Sequence, residues 1–262
     1  MSETLRKLRE GEGSQQLICF PYLGGHSSKF LELIEEIKFD NETEVWGINP
    51  PGHGLDIQKP FEDISRMLDL YCTEIAKIIK PNCIFFGYSM GGIVAYFAVQ
   101  RLLRQRDNYN GSLSLIISSC STPQEFGVQS YSAMSDDMLL NRMIDYDGLP
   151  EDVINVKELL VYYLPVFRAD FRVLETASLL DYDKLDIPTY FLLGDNDRFV
   201  SIDMIIKWSR YFKGELNTCV IRGGSHMMIH DQMLSVARAI ERILLPDEIG
   251  KLHIDRSGCV KD

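Results

Sequence analysis

Gly87-Tyr88-Ser89-Met90-Gly91-Gly92 is the stretch from which the fold of this 262-residue chain can be inferred. The apolar run 83–86 before it indicates a short buried strand, and the apolar run 93–99 after it indicates a buried helix. A G-x-S-x-G sequence between a strand and a helix is typical of a sharp turn that exposes its serine as a nucleophile. The alternative is a glycine-rich connection with an incidental serine. The flanking pattern favours the strand–turn–helix and a nucleophilic Ser89.

Short apolar runs alternate with helical periodicity along the rest of the chain. The runs predict strands over 17–20, 45–48, 113–117, 190–193 and 218–221. The helical spacing predicts helices over 29–37, over 64–79 and from about Asp231 onward. Residues 1–16 are polar and are expected to fray, and 246–262 are expected to form a loosely ordered tail. Apolar strands separated by helices predict an α/β fold with a mostly parallel sheet covered on both faces.

The region 121–183 breaks this alternation, because it contains helical patterns but no convincing strand. One helix is expected to begin after Ser135, and two more over 151–164 and 166–180. We expect one domain over 1–262, with a core of about 1–120 and 184–262. The helical insertion, about 121–183, is predicted to be a lid over the ligand cleft. The alternative is a plain pair of crossover helices.

Composition limits the classes of partner and compartment. A net charge of −11 argues against general nucleic-acid binding, and an acidic partner would need a local basic patch. The six cysteines form neither a CxxC pair nor a metal-ligand cluster, so we expect reduced thiols, no metal and no bound cofactor. The N-terminus lacks a signal-peptide pattern, and no apolar run reaches the roughly 18 residues of a membrane span. The chain is therefore predicted to be cytoplasmic, without a membrane partner, and monomeric by default.

A nucleophilic Ser89 needs a base and an acid that orients the base. In this type of elbow the acid and then the histidine follow the serine along the chain. His226 lies in the loop immediately after the predicted strand 218–221 and is the expected base, with His230 as the alternative. The loop after strand 190–193 contains two carboxylates. Asp197 is expected to orient His226, whereas Asp195 is expected to shape the loop.

The oxyanion formed during attack on a carbonyl needs two hydrogen-bond donors. One is the backbone N–H of Met90, the residue after the nucleophile. The other is expected from the loop Tyr22-Leu23-Gly24-Gly25 after the first predicted strand. Leu23 N–H is the preferred donor and Gly24 N–H the alternative. His26 and His53 lie in turns before the elbow and are expected to shape loops.

Together these motifs resemble the type II, or editing, thioesterases of nonribosomal peptide and polyketide synthases, which have the α/β-hydrolase fold. The matching segments are 20–25 (FPYLGG), 49–54 (NPPGHG), 87–92 (GYSMGG), 164–171 (LPVFRADF), 194–197 (GDND) and 223–226 (GGSH). The opening FP…GG and the RADF segment are the more specific to this family. Two departures are Leu23, where alanine is usual, and a histidine loop that is one residue longer.

The resemblance implies hydrolysis of acyl thioesters on the phosphopantetheine arm of an acyl or peptidyl carrier protein. It places the catalytic residues at Ser89, Asp197 and His226, and the oxyanion donors at Leu23 and Met90. Five apolar side chains of the insertion are possible walls of an acyl chamber, although helix packing is an alternative role for each: Met134, Met138, Leu139, Met143 and Phe167. Possible basic contacts for an acidic carrier are Lys29, Arg168 and Arg172. A medium-chain fatty-acyl thioesterase, a carboxylesterase and an idle binding module are the alternative functions.

Overall fold

Seven strands form one mostly parallel sheet at the centre of the fold. The structure is a computed structural model that describes residues 4–105, 111–128, 130–146 and 157–245. The strand order is β1-β3-β2-β4-β5-β6-β7, in which β1 pairs antiparallel with β3 and the other neighbours pair in parallel. The strands are β1 Leu5–Arg9, β2 Gln15–Phe20, β3 Glu44–Ile48, β4 Asn82–Tyr88, β5 Ser112–Ser118, β6 Thr189–Gly194 and β7 Asn217–Ile221.

Helices cover both faces of the sheet. The α-helices in the described residues are α1 Leu31–Glu36, α2 Ile64–Ile75, α3 Met90–Arg104, α4 Asp136–Asp145, α5 Lys157–Ala177, α6 Asp203–Trp208, α7 Met228–Asp231 and α8 Met233–Leu244. Alternate residues of β4 belong to different halves of the core: Phe85 packs with α2 and α3, whereas Phe86 packs with α1 and α8. A strand buried on both faces must be apolar throughout, which explains the continuous apolar runs.

The parallel strands bring their carboxyl ends to one edge of the sheet. In the register of the central strands, Phe20 at the end of β2 pairs with Gly87, and Tyr88 pairs with Ser118 at the end of β5. In the register of β6 and β7, Gly194 pairs with Ile221. The loops after β2, β4, β6 and β7 therefore share one edge, where ligands bind in open α/β sheets.

The amino-terminal prediction was wrong, because residues 5–9 form strand β1 instead of fraying. The segment is polar, but Leu5 is buried opposite Ile48, and Lys7 lies over the ring of Trp46. Backbone pairing with β3 stabilises a strand whose side chains carry little hydrophobic signal. Lysine and arginine on such an edge strand also discourage pairing with another chain.

The two helices predicted over 151–164 and 166–180 are also corrected. Residues 151–156 lie outside the described part, and one helix, α5, continues through Pro165 to Ala177. A proline inside a helix costs about 3 kcal/mol. Contacts on both sides of the proline offset this cost: Tyr162 Oη donates to Gly54 O at 3.1 Å before it, and the ring of Phe171 stacks on Tyr131 at 5.0 Å after it. The predicted break at residue 165 is absent because tertiary contacts hold both halves in line.

The described part of 121–183 is helical, as predicted, and crosses above the carboxyl edge of the sheet. Ser135 caps α4 by accepting a hydrogen bond from Met138 N. Arg168 of α5 donates to the backbone carbonyls of Ser132 and Met134 and pairs with Asp136, so it ties α5 to the start of α4. In the described ranges no helix is long and apolar enough to cross a membrane.

Candidate active site

Ser89 lies on a strained turn between β4 and α3. Its backbone has φ 49° and ψ −119°, in the positive-φ region that side chains rarely adopt. The turn is held by the bond from Ser89 N to Ser118 O at 2.8 Å and by the bond from Gly92 N to Ser89 O at 2.9 Å. Strain of this kind persists only where neighbouring structure enforces it, and it is concentrated at functional sites.

The glycines around Ser89 are required by close packing. A Cβ atom on Gly91 would lie 2.1 Å from Phe20 O of β2, and one on Gly87 would lie 2.3 Å from Gly91 O. A Cβ on Gly92 would lie 2.8 Å from the sulfur of Cys120. The helix can therefore begin directly against β2 and β5 only because these three positions have no side chain.

Ser89, His226 and Asp197, which are far apart in the sequence, form one hydrogen-bonded chain. Ser89 Oγ lies 3.1 Å from His226 Nε2. His226 Nδ1 lies 3.1 Å from Asp197 Oδ2 and 3.3 Å from Asp197 Oδ1. The side chains of His226 and Asp197 are 8% and 0% exposed. The structure thus brings together the three residues predicted as nucleophile, base and orienting acid, within the distances that proton transfer requires.

The environment of Asp197 keeps its carboxylate charged. Burial alone would raise the Asp197 pKa, but the hydrogen bond and charge of His226 and two backbone donors lower it below the ordinary 3.8. Those donors are Phe199 N at 2.9 Å and Val200 N at 3.0 Å, both bonded to Oδ1. A carboxylate that is ionised at neutral pH can hold a proton on His226 Nδ1, which leaves Nε2 free to accept the proton of Ser89.

The predicted role of Asp195 differs in detail from the one observed. Its carboxylate accepts from Gly223 N at 2.5 Å and so bridges to the histidine loop rather than closing its own turn. Asn196 N also bonds to Gly224 O at 3.0 Å. Ser225 occupies the longer histidine loop, and its Oγ accepts from Met227 N at 3.0 Å. The bonds of Asp195 and Asn196 join the aspartate and histidine loops.

His230, the alternative base, lies at a different position. It lies on the short helix α7, and its Nε2 contacts Tyr22 Oη at 3.2 Å. Burial, followed by the charge of Lys29, lowers the His230 pKa below 6.5. His226, in contrast, contacts Ser89 directly.

The two candidate donors of the loop after β2, Leu23 and Gly24, differ in their surroundings. Leu23 and Met90 both line the cleft that contains Ser89. Gly24 N–H, the alternative donor, is occupied by Asp170 Oδ2 at 2.7 Å. In the described ranges no acceptor bonds to Leu23 N–H.

The cleft above Ser89 is small, about 40 Å³, and opens to solvent. Its lining is mostly apolar: Tyr22, Leu23, Met90, Ile93, Cys120, Phe126, Met143, Tyr146, Phe171, Leu174, Phe199, Val200 and Met227, together with Ser89, Ser119, Ser121 and His226. Of the five insertion residues expected to form a chamber, only Met143 lines it. Met138 is 56% exposed, and Phe167 packs against Gly24 instead. In the same described residues no cluster of acidic, histidine or cysteine side chains is arranged to hold a metal ion.

Aromatic rings cover His226, a feature that the sequence did not predict. The rings of Tyr146 and Phe199 lie 5.2 and 5.5 Å from its imidazole. Arg142 lies over the Tyr146 ring at 4.8 Å and donates to its hydroxyl at 3.2 Å. Tyr88 supports the other side by donating to His226 O at 2.8 Å. Of these residues, Phe199 could have been predicted to lie near His226, since it follows Asp197 by two residues in the sequence.

The parallel sheet, the elbow and the polar chain at its edge define a hydrolase of the α/β-hydrolase class. Comparison with known families matches residues 15–244 to the family described as "Thioesterase domain". The chain is similar to the probable anguibactin biosynthesis thioesterase AngT of Vibrio anguillarum, with 31% identity over 87% of this chain and 92% of that protein. It is also similar to the gramicidin S biosynthesis protein GrsT of Aneurinibacillus migulanus, with 28% identity over 82% of this chain and 83% of that protein.

The chain is also similar to a solved thioesterase structure. YbtT, a type II thioesterase from the yersiniabactin NRPS/PKS biosynthetic pathway, matches with a TM-score of 0.76 and 26% identity, over 91% of this chain and 97% of that chain. The chain belongs to the thioesterase family and is a thioester hydrolase of the α/β-hydrolase fold. The resemblance, fold and enzyme class predicted from the sequence are confirmed.

Proposed function

We propose that this chain is a type II thioesterase that removes acyl groups from the phosphopantetheine arm of carrier proteins in a nonribosomal peptide or polyketide pathway. The observation that carries the proposal is the chain Ser89–His226–Asp197, with its two contacts of 3.1 Å, beneath an apolar cleft. Ser89 is the nucleophile, His226 the general base and Asp197 the residue that orients it. The N–H groups of Leu23 and Met90 receive the oxyanion.

The first half of the reaction transfers the acyl group to Ser89. Its Oγ attacks the thioester carbonyl carbon while His226 Nε2 takes the hydroxyl proton. Negative charge develops on the carbonyl oxygen, and the two backbone N–H groups stabilise it. The carbon–sulfur bond then breaks, and the departing sulfur takes the proton from His226 Nε2 and leaves as the thiol, which returns His226 to its neutral form.

The second half releases the acid. His226 removes a proton from water, and the resulting hydroxide attacks the carbonyl of acyl-Ser89. The bond between the acyl carbon and Ser89 Oγ breaks, and the proton on Nε2 returns to the oxygen. Asp197 stays ionised throughout and stabilises the imidazolium in both halves.

The acyl substrate is expected to be accepted broadly. The cleft presents mainly apolar walls, and the carbonyl is recognised through backbone donors that do not read the acyl chain. A thiolate is a good leaving group that needs no dedicated acid beyond His226. Broad acceptance suits an enzyme that removes stalled or mis-primed groups of different kinds.

Two of the suggested contacts for an acidic carrier are engaged within the protein. Arg168 bonds to the start of α4, and Arg172 pairs with Glu175 at 3.2 Å. These pairs favour a structural role for both arginines. Carrier recognition is therefore assigned to no particular basic residue.

The test compares hydrolysis of an acyl-loaded carrier protein, the matching acyl-CoA and a simple oxygen ester by wild type and Ser89→Ala. We expect the carrier thioester to be the best substrate and the variant to lose at least about 10⁴-fold in kcat with unchanged folding. Near-wild-type turnover by Ser89→Ala would contradict the mechanism. A preference for the oxygen ester by orders of magnitude would contradict the carrier substrate.

A medium-chain fatty-acyl thioesterase is the second candidate, because the apolar lining of the cleft also suits an unbranched acyl chain. The two functions differ in substrate rather than in chemistry. A series of carrier-bound acyl groups separates them. A sharp optimum at one medium chain length, with little activity on short or aminoacyl groups, would favour the second candidate.

A further inference from the structure

A buried polar cluster lies behind the loop that carries Leu23. Asp170 of α5 accepts at Oδ2 from Gly24 N at 2.7 Å and contacts His53 Nε2 at 3.0 Å. His53 Nδ1 lies 3.1 Å from Pro51 O. Because a carbonyl and a carboxylate are both acceptors, His53 satisfies both only as an imidazolium with a proton on each nitrogen. Burial alone would lower the His53 pKa, but the charge and hydrogen bond of Asp170 raise it above 6.5, which agrees with this protonation state.

This ion pair is expensive to bury. The side chains of His53 and Asp170 are 1% and 2% exposed. In the described part of the chain, Asp170 Oδ1 and the nearby Tyr71 hydroxyl are buried without a hydrogen-bond partner. Replacing such a pair by apolar residues is often neutral or stabilising, so its presence is weak evidence for a role in stability. A role in fixing local geometry accounts better for it.

The geometry that the pair fixes is the turn Tyr22–Gly25. Gly25 N bonds to Tyr22 O at 2.8 Å, which closes the turn, and Gly24 has φ +74°, as expected at the third position of a type II turn. The Tyr22 carbonyl and Leu23 N–H share one peptide plane, so the closing bond sets the direction of Leu23 N–H. Asp170 holds the next peptide plane through Gly24 N–H. A peptide flip there would turn the Leu23 carbonyl toward the carboxylate, which repels it.

Helix α5 makes two further contacts, one with this loop and one with the loop beside it. A Cβ on Gly24 would lie 2.3 Å from Phe167 Cε1, so the Phe167 ring packs directly against this glycine. Tyr162 Oη donates to Gly54 O at 3.1 Å in the neighbouring loop, which also contains His53. One helix of the insertion thus holds both loops that approach Ser89 from the β2 and β3 side.

We propose that Asp170, held by His53, is a positioning residue for catalysis: it fixes the turn whose Leu23 N–H receives the oxyanion. The inference rests on the proposed role of Leu23 in thioester hydrolysis. It assigns to the RADF segment a function in transition-state stabilisation rather than in closing the cleft. It also makes α5 a mechanical link between the helical insertion and the oxyanion site.

The variants Asp170→Ala and Asp170→Asn test the proposal. Asparagine can place its oxygen at the Oδ2 position and retain the bond from Gly24 N, whereas alanine cannot. A misplaced catalytic group costs about 10²-fold, and loss of an oxyanion donor costs about 10²–10³-fold. We therefore expect Asp170→Ala to lower kcat about 10²-fold on an acyl-pantetheine thioester, with KM changed by less than about threefold, and Asp170→Asn to restore most of the rate.

Glu175 provides the matched control on the same helix. Its carboxylate also accepts from a backbone N–H, that of Ser132 at 2.8 Å, but it does not contact the oxyanion loop. Glu175→Ala should lower thermal stability while leaving kcat within about threefold of wild type. Equal losses of kcat in Glu175→Ala and Asp170→Ala would overturn the proposal, because both would then act through general packing of α5.

Binding of an alkyl boronic acid, which forms a tetrahedral adduct with Ser89, supplies a second readout. Its affinity should fall in Asp170→Ala by the same factor as kcat, whereas affinity for the carboxylic acid product should not change. Unchanged boronate affinity overturns the proposal. If Asp170→Ala does not fold, His53→Gln is used instead, and wild-type kcat with wild-type boronate affinity in that variant overturns it equally.

The same experiment separates this inference from the proposed function. Wild-type turnover that Ser89→Ala abolishes supports the reaction, whatever the Asp170 variants do. Absence of thioester turnover in the wild type would instead remove the proposed function, and the role of Asp170 with it.

Discussion

Replacing Asp197 by asparagine changes one atom and reverses the hydrogen-bonding pattern around His226. Asp197 Oδ1 accepts from Phe199 N and Val200 N, while Oδ2 faces His226 Nδ1 at 3.1 Å. An asparagine oxygen would stay with the two backbone donors, which places its NH₂ group against Nδ1. The imidazole must then carry its proton on Nε2, and an Nε2–H group cannot accept the proton of Ser89.

The size of the effect follows from this change of tautomer. Where an orienting aspartate is replaced by asparagine in a serine protease of another fold, kcat falls about 10⁴-fold. A loss of that size equals about 5 kcal/mol of transition-state stabilisation. The free energy of unfolding should fall by only about 1–3 kcal/mol, because most of the hydrogen bonds of Asp197 are retained.

Single-turnover and steady-state hydrolysis of an acyl-pantetheine thioester measure the loss, and urea unfolding confirms the fold. Asp195→Asn is the matched control, because this neighbouring carboxylate is exposed and bonds to Gly223 N rather than to His226. We expect Asp195→Asn to retain kcat within about tenfold. A loss of kcat below about tenfold in Asp197→Asn, or a larger loss in Asp195→Asn, would refute the proposed change of tautomer.

Three further predictions concern the elbow, the buried ion pair and the cleft. Gly91→Ala places a Cβ 2.1 Å from a β2 carbonyl oxygen and should lower the free energy of unfolding by about 3 kcal/mol or more, measured in urea. Gly214→Ala, which meets nothing within 4 Å, is its control and should change stability by less than about 1 kcal/mol. Burial lowers the pKa of His53, but the charge of Asp170 outweighs this effect and raises the pKa above 6.5 in the folded state. The ion pair therefore contributes stability below pH 6.5, and this contribution is lost as pH rises through the pKa of the folded state. Urea midpoints from pH 6.5 upward should therefore fall more steeply in wild type than in His53→Gln, and parallel curves would contradict the assignment. Met143→Ala enlarges the cleft, so we expect about 2–4 kcal/mol lower stability and a kcat/KM series shifted toward bulkier acyl groups; an unshifted series would show that Met143 only packs the helix.

Much of this molecule can be predicted from local sequence. The elbow is recognisable because its small residues, its apolar flanks and its serine all lie within about a dozen positions. Asp197 and His226 are recognisable because a parallel sheet brings residues that follow its strands to one edge. Strand β1 and the continuous helix α5 are not recognisable in this way, because pairing with β3 and packing on Tyr131 override a polar composition and a proline.

The sequence by itself therefore determined the class of fold, the family and the identity of the three residues at the sheet edge, since each depends on chain order and local pattern. Only the tertiary structure showed that Gly24 N–H is already engaged. Its acceptor is the Asp170 carboxylate, 146 residues away, so the preference for Leu23 in the proposed mechanism depends on a contact outside the loop. A hydrogen bond between distant segments cannot be predicted from the local sequence of either one, because Gly24 resembles any other loop glycine and Asp170 any other helical aspartate.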